Sequence, residues 1–287
     1  MTATTIEASC GLYYRDAPQS QDTQGQKTWI TRSANVVVVI SEVKAGGELG
    51  RDDNPDEYMM LLPPCMRVKV SAAGSSTEAG PETLTIVPPG KSSLTALDDG
   101  LVVRVFSVRA KDLAGKAANA AVYANGAPSV APMENWPDPV GGFRLRNYRL
   151  SEYTDPKIFG RLFRSTNLMI NVFERKTERR DPKKLSPHSH ADFEQISLAL
   201  EGSFVHHLRT PWTADSSTWR EDQHLEVHSP SALVIPTSLV HTTQDVGEGV
   251  AWLIDVFGPP RMDFSLQPGV VRNADEYPMP VKEAVAA

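Results

Sequence analysis

The first 187 residues contain no histidine, and the whole chain of 287 residues has only two cysteines and no long hydrophobic run. Cys10 and Cys65 are too few and too early for a disulfide framework or a cysteine-based zinc site. The longest aliphatic run, Val36 to Ile40, is far shorter than the roughly 20 apolar residues of a membrane-spanning helix. The first nine residues lack the basic start and apolar stretch of a secretory signal, so we expect a cytoplasmic protein without a membrane partner.

The chain also lacks a surplus of basic residues. It has 29 Lys and Arg against 35 Asp and Glu, a net charge of -6. Proteins that bind the phosphate backbone usually carry a clustered basic surplus, so we expect no nucleic-acid partner. The one basic patch, Arg175 to Lys184, is interrupted by acids and proline and is interpreted as a solvated loop.

Short β-branched runs, separated by clusters of Pro, Gly, Ser and Asp, dominate the pattern. The predicted strands are 34–40, 57–62, 66–70, 83–87, 101–108, 167–175, 195–200, 203–208, 232–235 and 250–256. Pro63, Pro88 and Pro230 lie where a sheet has to stop, because proline cannot donate to a strand ladder. The pattern predicts an all-β fold, an antiparallel sandwich or barrel.

Residues 111–142 have a different character. A short helix is predicted over 111–121, and the stretch 124–142, with its prolines and glycines, is interpreted as a connector. We therefore predict an N-terminal domain over 1–112, a connector over 113–145 and a C-terminal domain over 146–287.

All seven histidines lie between His188 and His241. His188 and His190 are two residues apart in a segment interpreted as extended, so their side chains share one face. His241 follows the buried-looking strand 232–235. Two imidazoles on one face, an acid or amide on the next strand and a third histidine can converge on one cation.

This pattern resembles the two motifs of the cupins. The first motif is His-x-His, three or four residues, Glu or Gln, then six residues to Gly, and the second is Pro-x-Gly-x-x-His. The matching residues are His188, His190, the Glu194-Gln195 pair, Gly202, Pro236 and His241, with Ser238 in place of the second motif's glycine. The resemblance implies a jelly-roll-like antiparallel β-barrel with one divalent metal ion.

The fourth ligand is open between two neighbours. Glu194 has the three-residue spacing from His190 and Gln195 the four-residue spacing, whereas only Gln195 lies at the usual distance before Gly202. Gln195 is preferred by a small margin, and strand parity forbids both side chains from facing the metal in one regular strand. Glutamine would leave the ion more electrophilic than glutamate would.

The first half resembles a second copy of the barrel without the ligands. Ser93 stands where the second motif has histidine, Glu57 corresponds to the motif glutamate, and the histidine positions fall near Gly50 and Asp52. The resemblance thus implies two tandem cupin domains, a bicupin, with a degenerate N-terminal barrel. A structural role is expected for that barrel, with a metal-free ligand pocket as the alternative.

His206 and His207 are adjacent on a predicted strand, so one faces inward and the other outward. The inward one is a candidate catalytic acid or base, and a packed or edge histidine is the alternative. A ligand set of nitrogen and oxygen suits Fe(II), Mn(II), Ni(II) or Zn(II), with Fe(II) favoured.

Three functions are implied, each with a small-molecule partner, and an enzyme is expected. The first is a non-haem dioxygenase of a small aromatic or diketone-like compound. The second is an isomerase or lyase of a sugar acid, similar to the cupin uronate isomerases. The third is a non-catalytic binding cupin. A homodimer is expected from the fold and from apolar faces such as Val36 to Ile40, which need a cover.

Overall fold

The structure is a computed structural model that describes residues 6–280, and within them it contains twenty β-strands and two short α-helices. The first twelve strands are β1 Ser9–Leu12, β2 Ser20–Gln21, β3 Lys27–Arg32, β4 Val36–Val43, β5 Glu48–Asn54, β6 Tyr58–Leu62, β7 Val68–Ala72, β8 Ser75–Ala79, β9 Thr83–Val87, β10 Gly90–Ala96, β11 Gly100–Ser107 and β12 Arg146–Arg149. The other eight are β13 Arg161–Arg164, β14 Met169–Val172, β15 Gln195–Glu201, β16 Ser203–Arg209, β17 Gln223–His228, β18 Ser231–Ile235, β19 Val240–Asp245 and β20 Trp252–Phe257.

Four antiparallel sheets make two barrels, each built from one large and one small sheet. In the N-terminal barrel the orders are β12-β9-β6-β11-β4-β3-β2 and β5-β10-β7-β8. In the C-terminal barrel they are β1-β18-β15-β20-β14-β13 and β17-β16-β19. The predicted all-β class is confirmed, and each of the ten predicted strands has a counterpart whose ends differ by at most three residues.

The two halves exchange one strand each. β1 pairs with β18 in the C-terminal barrel, with Cys10 opposite Leu233, and β12 pairs with β9 in the N-terminal barrel, with Tyr148 opposite Leu84. Because of this exchange, each barrel contains one strand from outside the sequence range predicted for it: β1 lies before residue 112, and β12 lies after residue 145. The helix predicted over 111–121 is shorter in the structure, where α1 covers only Lys111–Ala114 and a 3-10 turn follows at Ala120–Tyr123. The second helix, α2, covers Met262–Ser265.

The largest apolar core lies between the two large sheets. Side chains alternate along each strand, so Ile196 and Leu198 of β15 pack with Met59 and Leu61 of β6 in this shared core. The opposite faces of the same strands line the barrel interiors. The interior of the N-terminal barrel is a second apolar cluster, which includes Tyr58.

Val36 to Ile40 is buried on both faces, which corrects its interpretation as an outward face in need of a partner. Val36, Val38 and Ile40 pack in the core between the sheets, whereas Val37 and Val39 pack inside the N-terminal barrel. The chain covers this strand itself, so the strand offers no reason for dimerisation. The homodimer stays a prediction from the fold.

None of the helices in residues 6–280 combines the length and the apolar character that a membrane crossing requires.

Candidate metal centre

Three histidines converge at one end of the C-terminal barrel. One ligand nitrogen each from His188, His190 and His241 lies within 4.8 Å of the others. The ring centroids are 4.4 Å apart for His188 and His241, and 5.0 Å apart for His188 and His190. His190 and His241 are buried, whereas His188 is exposed, and such a cluster of imidazoles is suited to one transition-metal ion.

The backbone holds the two motif segments together. His188 and His241 form an isolated antiparallel bridge, in which the His188 amide donates to the His241 carbonyl at 3.1 Å and the His188 carbonyl receives the return bond at 2.8 Å. The amide of Ser238 donates to the carbonyl of His190 at 2.6 Å. The histidines, about fifty residues apart in sequence, are therefore fixed relative to each other by main-chain bonds.

Carbonyl partners set the tautomers of two of these rings. The Nδ1 of His188 lies 2.9 Å from the Ser186 carbonyl, and the Nδ1 of His241 lies 3.0 Å from the Leu239 carbonyl. Each Nδ1 thus carries the proton and each Nε2 keeps its lone pair, the usual arrangement around metal-bound histidine. The Nε2 of His241 is buried and has no hydrogen-bond partner within residues 6–280. A divalent metal ion fits this unsatisfied atom.

Gln195 directs its amide oxygen at the same point. Its Oε1 lies 3.0 Å from Nε2 of His190, the separation of two ligand atoms bound at right angles to one ion at about 2.1 Å. Its Nε2 donates to Ser197 Oγ at 2.9 Å, and Ser197 donates to Asp255 Oδ1 at 2.5 Å. This relay ends on a carboxylate, so it orients the amide with the oxygen toward the histidines.

Glu194 faces away from the three histidines. Its carboxylate accepts hydrogen bonds from the Ala34 amide at 2.6 Å and from the Tyr123 hydroxyl at 3.1 Å. Burial raises the pKa of Glu194 above its ordinary value. Glu194 and Gln195 therefore lie on opposite faces, and the structure brings only Gln195 to the histidines.

The rings of His190 and His241 are neutral at physiological pH before any metal binds. Burial is the main reason that the pKa of His190 and the pKa of His241 fall to about 4, and neighbouring cationic groups lower both further. Metal binding at neutral pH thus needs no proton release from these two residues.

Backbone geometry explains two motif positions. Gly202 joins β15 to β16 with φ +94°, and a Cβ there would lie 3.0 Å from the Cα of Ala251. Ser238, at the position of the second motif's glycine, adopts φ +65°. That left-handed conformation is why glycine suits the position and why serine is strained there.

The structure separates His206 from His207. His206 is buried on the inner face, with Nδ1 2.8 Å from Thr243 Oγ1, and burial lowers its pKa to about 4. His207 points to the outer face, where its Nδ1 lies 2.7 Å from Nδ1 of His224. A cavity of about 250 Å³ on that side is lined by both His207 and His224 and reaches His241. A catalytic role for either His206 or His207 stays a prediction, and only His206 faces the barrel interior.

Sequence reasoning missed Asp255, which lies opposite Ser197 on the inner face. Burial raises the pKa of Asp255 to about 6, although the hydrogen bond from the Ser197 hydroxyl acts in the opposite direction. The available signal was a single acid in the otherwise apolar strand Trp252–Phe257.

Arg261 was missed as well. Its guanidinium carbon lies 3.9 Å from the ring centroid of Phe264 and 4.9 Å from that of Phe193, and it pairs with Asp263. Phe193 stacks on His190 with the ring centroids 4.3 Å apart. A positive charge and aromatic rings thus border the histidines. The sequence around Arg261 contains no motif from which this position could be predicted.

The positions expected for lost ligands in the N-terminal barrel need a correction. Ser93 is exposed, and Ser92 points inward in its place, since the ladder between β10 and β5 shifts register just before it. Glu57 faces the other barrel, where its carboxylate accepts bonds from Thr166 and Tyr277.

No protein-family model matches this sequence, and no curated protein matches it. Solved structures do match. An oxalate decarboxylase from Lactobacillus farciminis in complex with formate has a TM-score of 0.56 at 14% identity, covering 91% of this chain and 88% of its own. The protein Ylba from E. coli has a TM-score of 0.57 at 11% identity, covering 90% and 93%. A mutant of the Bacillus subtilis oxalate decarboxylase OxdC has a TM-score of 0.53 at 15% identity, covering 93% and 82%.

These likenesses show the fold at identities too low to carry function. Together with the four antiparallel sheets and the paired large and small sheet of each half, they support the expectation from the motifs. The chain has the fold of two tandem cupin-type β-barrels.

Proposed function

We propose that this protein is a mononuclear metal-dependent enzyme, a non-haem dioxygenase of a small aromatic or diketone-like compound, with Fe(II) as its metal. The observation that carries the proposal is the convergence of His188, His190 and His241 with the amide oxygen of Gln195. Four donors leave two positions of a six-coordinate ion for substrate oxygen and O2, in contrast to a closed structural site.

The donor set is neutral, and this property supports the proposed substrate class. Three imidazoles and an amide add no negative charge, so the site keeps the full positive charge of a divalent ion. An enolate or phenolate oxygen is therefore attracted more strongly than by a site with a carboxylate ligand. Arg261, whose charge lowers the pKa of both His190 and His241, adds to this positive field.

The residues around the donors have separate tasks. When bound, Fe(II) supplies the redox chemistry that activates O2. Phe193 and Phe257 cover His190 and exclude water from that side, because their rings lie within 6.2 Å of the imidazole centroid. Asp255, acting through Ser197, orients the Gln195 amide. His206 is neutral at physiological pH and offers a buried proton acceptor on the inner face.

The test is an oxygen-electrode screen of the Fe(II)-loaded protein against catechols and diketones. We expect O2 uptake that requires substrate and metal, and that disappears in His241→Ala. Turnover of the same substrate under nitrogen would contradict the dioxygenase, whereas metal binding without turnover of any compound would leave only a binding function.

A second candidate, a redox-neutral isomerase or lyase of a sugar acid, is favoured by the position of Asp255. A carboxylate on the inner face, 2.5 Å from the Ser197 hydroxyl and one hydrogen bond further from Gln195, can accept a substrate proton. This function predicts turnover of uronates under nitrogen with Zn(II) or Mn(II), and incorporation of solvent deuterium. Asp255→Asn keeps an acceptor oxygen for the Ser197 hydroxyl, so the Gln195 amide stays oriented and the metal content should stay at the wild-type level, but it removes the base and should abolish that incorporation.

A further inference from the structure

The central strands of the two barrels can be superimposed by their register. Tyr58 is the first residue of β6 and lies opposite Val87, the last residue of β9 before a proline. Gln195 is the first residue of β15 and lies opposite Ile235, the last residue of β18 before a proline. Tyr58 therefore occupies in the N-terminal barrel the place of the Gln195 amide in the C-terminal barrel.

The same register places an arginine where the other barrel has an acid. Arg104 of β11 lies opposite Met60 of β6, two residues after Tyr58. Asp255 of β20 lies opposite Ser197 of β15, two residues after Gln195. The inner face of the N-terminal barrel thus carries a positive charge at the point where the inner face of the C-terminal barrel carries a carboxylate.

The histidine pair has a counterpart as well. Ser92 lies opposite Arg51 in the ladder of β10 and β5, as His241 lies opposite His188. Ser92 Oγ is 3.0 Å from the Tyr58 hydroxyl, so the two equivalents of metal donors contact each other. One arginine, Arg51, and two hydroxyl groups therefore lie where the other barrel has metal donors, and Arg104 lies where it has Asp255.

Arg104 is buried without a counter-charge. It is 5% exposed, its Nε has no hydrogen-bond partner among the described residues, and its Nη2 donates to Ser41 Oγ at 3.3 Å. No carboxylate of the described residues lies within ion-pair distance of it. Burial lowers the pKa of Arg104 to about 10, so it stays charged at neutral pH. An unpaired buried cation is costly for the folded state.

Arg51 lies near Arg104 and is the more exposed of the two. The guanidinium carbons of Arg51 and Arg104 lie 5.6 and 5.7 Å from the ring centroid of Phe106. The Arg51 side chain is 12% exposed and forms a two-pronged ion pair with Asp112 of α1, at 2.6 and 2.8 Å, while the Asp112 side chain is 53% exposed. A carboxylate thus already binds at the outer end of this cluster, supplied by the chain itself.

We propose that the N-terminal barrel binds a small carboxylate anion, which pairs with Arg104 and is held by the hydroxyls of Ser41, Tyr58 and Ser92. A planar carboxylate matches the unpaired edge of a guanidinium group and can accept from hydroxyl donors at the same time. The ring of Phe106 lies 5.7 Å from the Arg104 guanidinium carbon, and Met60 lies opposite Arg104 in the ladder, so we expect a small ligand. The site is separate from the metal centre and does not depend on the reaction catalysed there.

The test measures anion binding to the full-length protein after removal of metal with a chelator, so that the histidine site does not bind the anion through a metal. Formate, acetate and oxalate are titrated by calorimetry and in thermal unfolding, with inorganic phosphate in a parallel arm. We expect a carboxylate-dependent rise of the melting temperature, and a binding constant at least about tenfold weaker in Arg104→Met. Lys69→Met, which removes an exposed cation of the same barrel, is the matched control and should bind as wild type.

A second readout covers the case in which Arg104→Met does not fold. In ¹⁵N-labelled wild-type protein, the Nε–H resonance of Arg104, identified by its absence in Arg104→Lys, should shift on addition of the carboxylate. The proposal is overturned if that resonance does not move at saturating anion, or if Arg104→Met binds as tightly as Lys69→Met. Tighter binding of phosphate than of any carboxylate would overturn the assigned ligand class.

Discussion

Glu57 and Glu194 occupy equivalent positions in the two barrels, and each accepts a hydrogen bond from the backbone of the opposite half. Glu194 receives the amide of Ala34 at 2.6 Å, just before β4. Glu57 receives the amide of Thr166 at 3.1 Å, before β14. Both carboxylates are buried, and burial raises the pKa of each. In each barrel, the glutamate that precedes the inward-facing residue, Tyr58 or Gln195, therefore links the two barrels by a hydrogen bond.

Replacing each member of the Glu194-Gln195 pair separates metal binding from stability. Glu194→Ala leaves the Ala34 amide and the Tyr123 hydroxyl without acceptors, so we expect a loss of about 1–3 kcal/mol of unfolding free energy and unchanged metal content. Gln195→Ala should lower metal affinity at least about tenfold. Elemental analysis and thermal unfolding of both variants distinguish these effects. Metal loss in Glu194→Ala alone would show that the glutamate is the ligand.

The three histidines should act as one site. His241→Ala removes the buried Nε2 that has no other partner among the described residues, and we expect metal content to fall to background while the strands remain folded. His207→Ala changes the outer face of the same small sheet and is the matched control. Retention of a full equivalent of metal by His241→Ala would exclude the proposed centre.

His206 makes metal-free stability depend on pH. Burial lowers its pKa from 6.5 to about 4, so His206 is protonated at a lower pH in the folded state than in the unfolded state. The free energy of unfolding is therefore highest above pH 6.5. It falls by about 3 kcal/mol as the pH drops from 6.5 through 4. Denaturant unfolding at several pH values should show a shallower acid loss in His206→Gln. His228→Gln, at an exposed histidine, is the control, and an equal change in both variants would refute this cause.

Ser238 should report backbone strain near the metal centre. The residue is exposed and has φ +65°, so replacement acts on the backbone more than on packing. Ser238→Gly should raise stability by up to about 1 kcal/mol, Ser238→Asn should lie between glycine and serine, and Ser238→Val should lower both stability and metal affinity. Thermal unfolding with and without metal gives the order. Equal stability of the glycine and valine variants would mean that this conformation is relaxed.

The sequence predicted strongly where a strand is apolar and where ligands are close in sequence. Thr83–Val87 was predicted to the residue, because both of its faces are buried. Glu48–Asn54 was missed, because it is mostly polar and exposed or half-buried and is a strand only through its partner β10. Long-range pairing, which adds β1 to the far barrel, has no local pattern to announce it.

By itself the sequence determined the all-β class, the repetition of the barrel and which three histidines lie together, His188, His190 and His241. Strand periodicity and motif spacing are local properties, so they can be read from the sequence. Only the tertiary structure shows that Gln195 faces the histidines and Glu194 faces away, since their one-residue offset becomes a difference in face when β15 takes its register. It also decided that Asp255 belongs to one barrel interior and Arg104 to the other. Those two charges lie far from the motifs in sequence, and only the packing of neighbouring strands brings them to the sites.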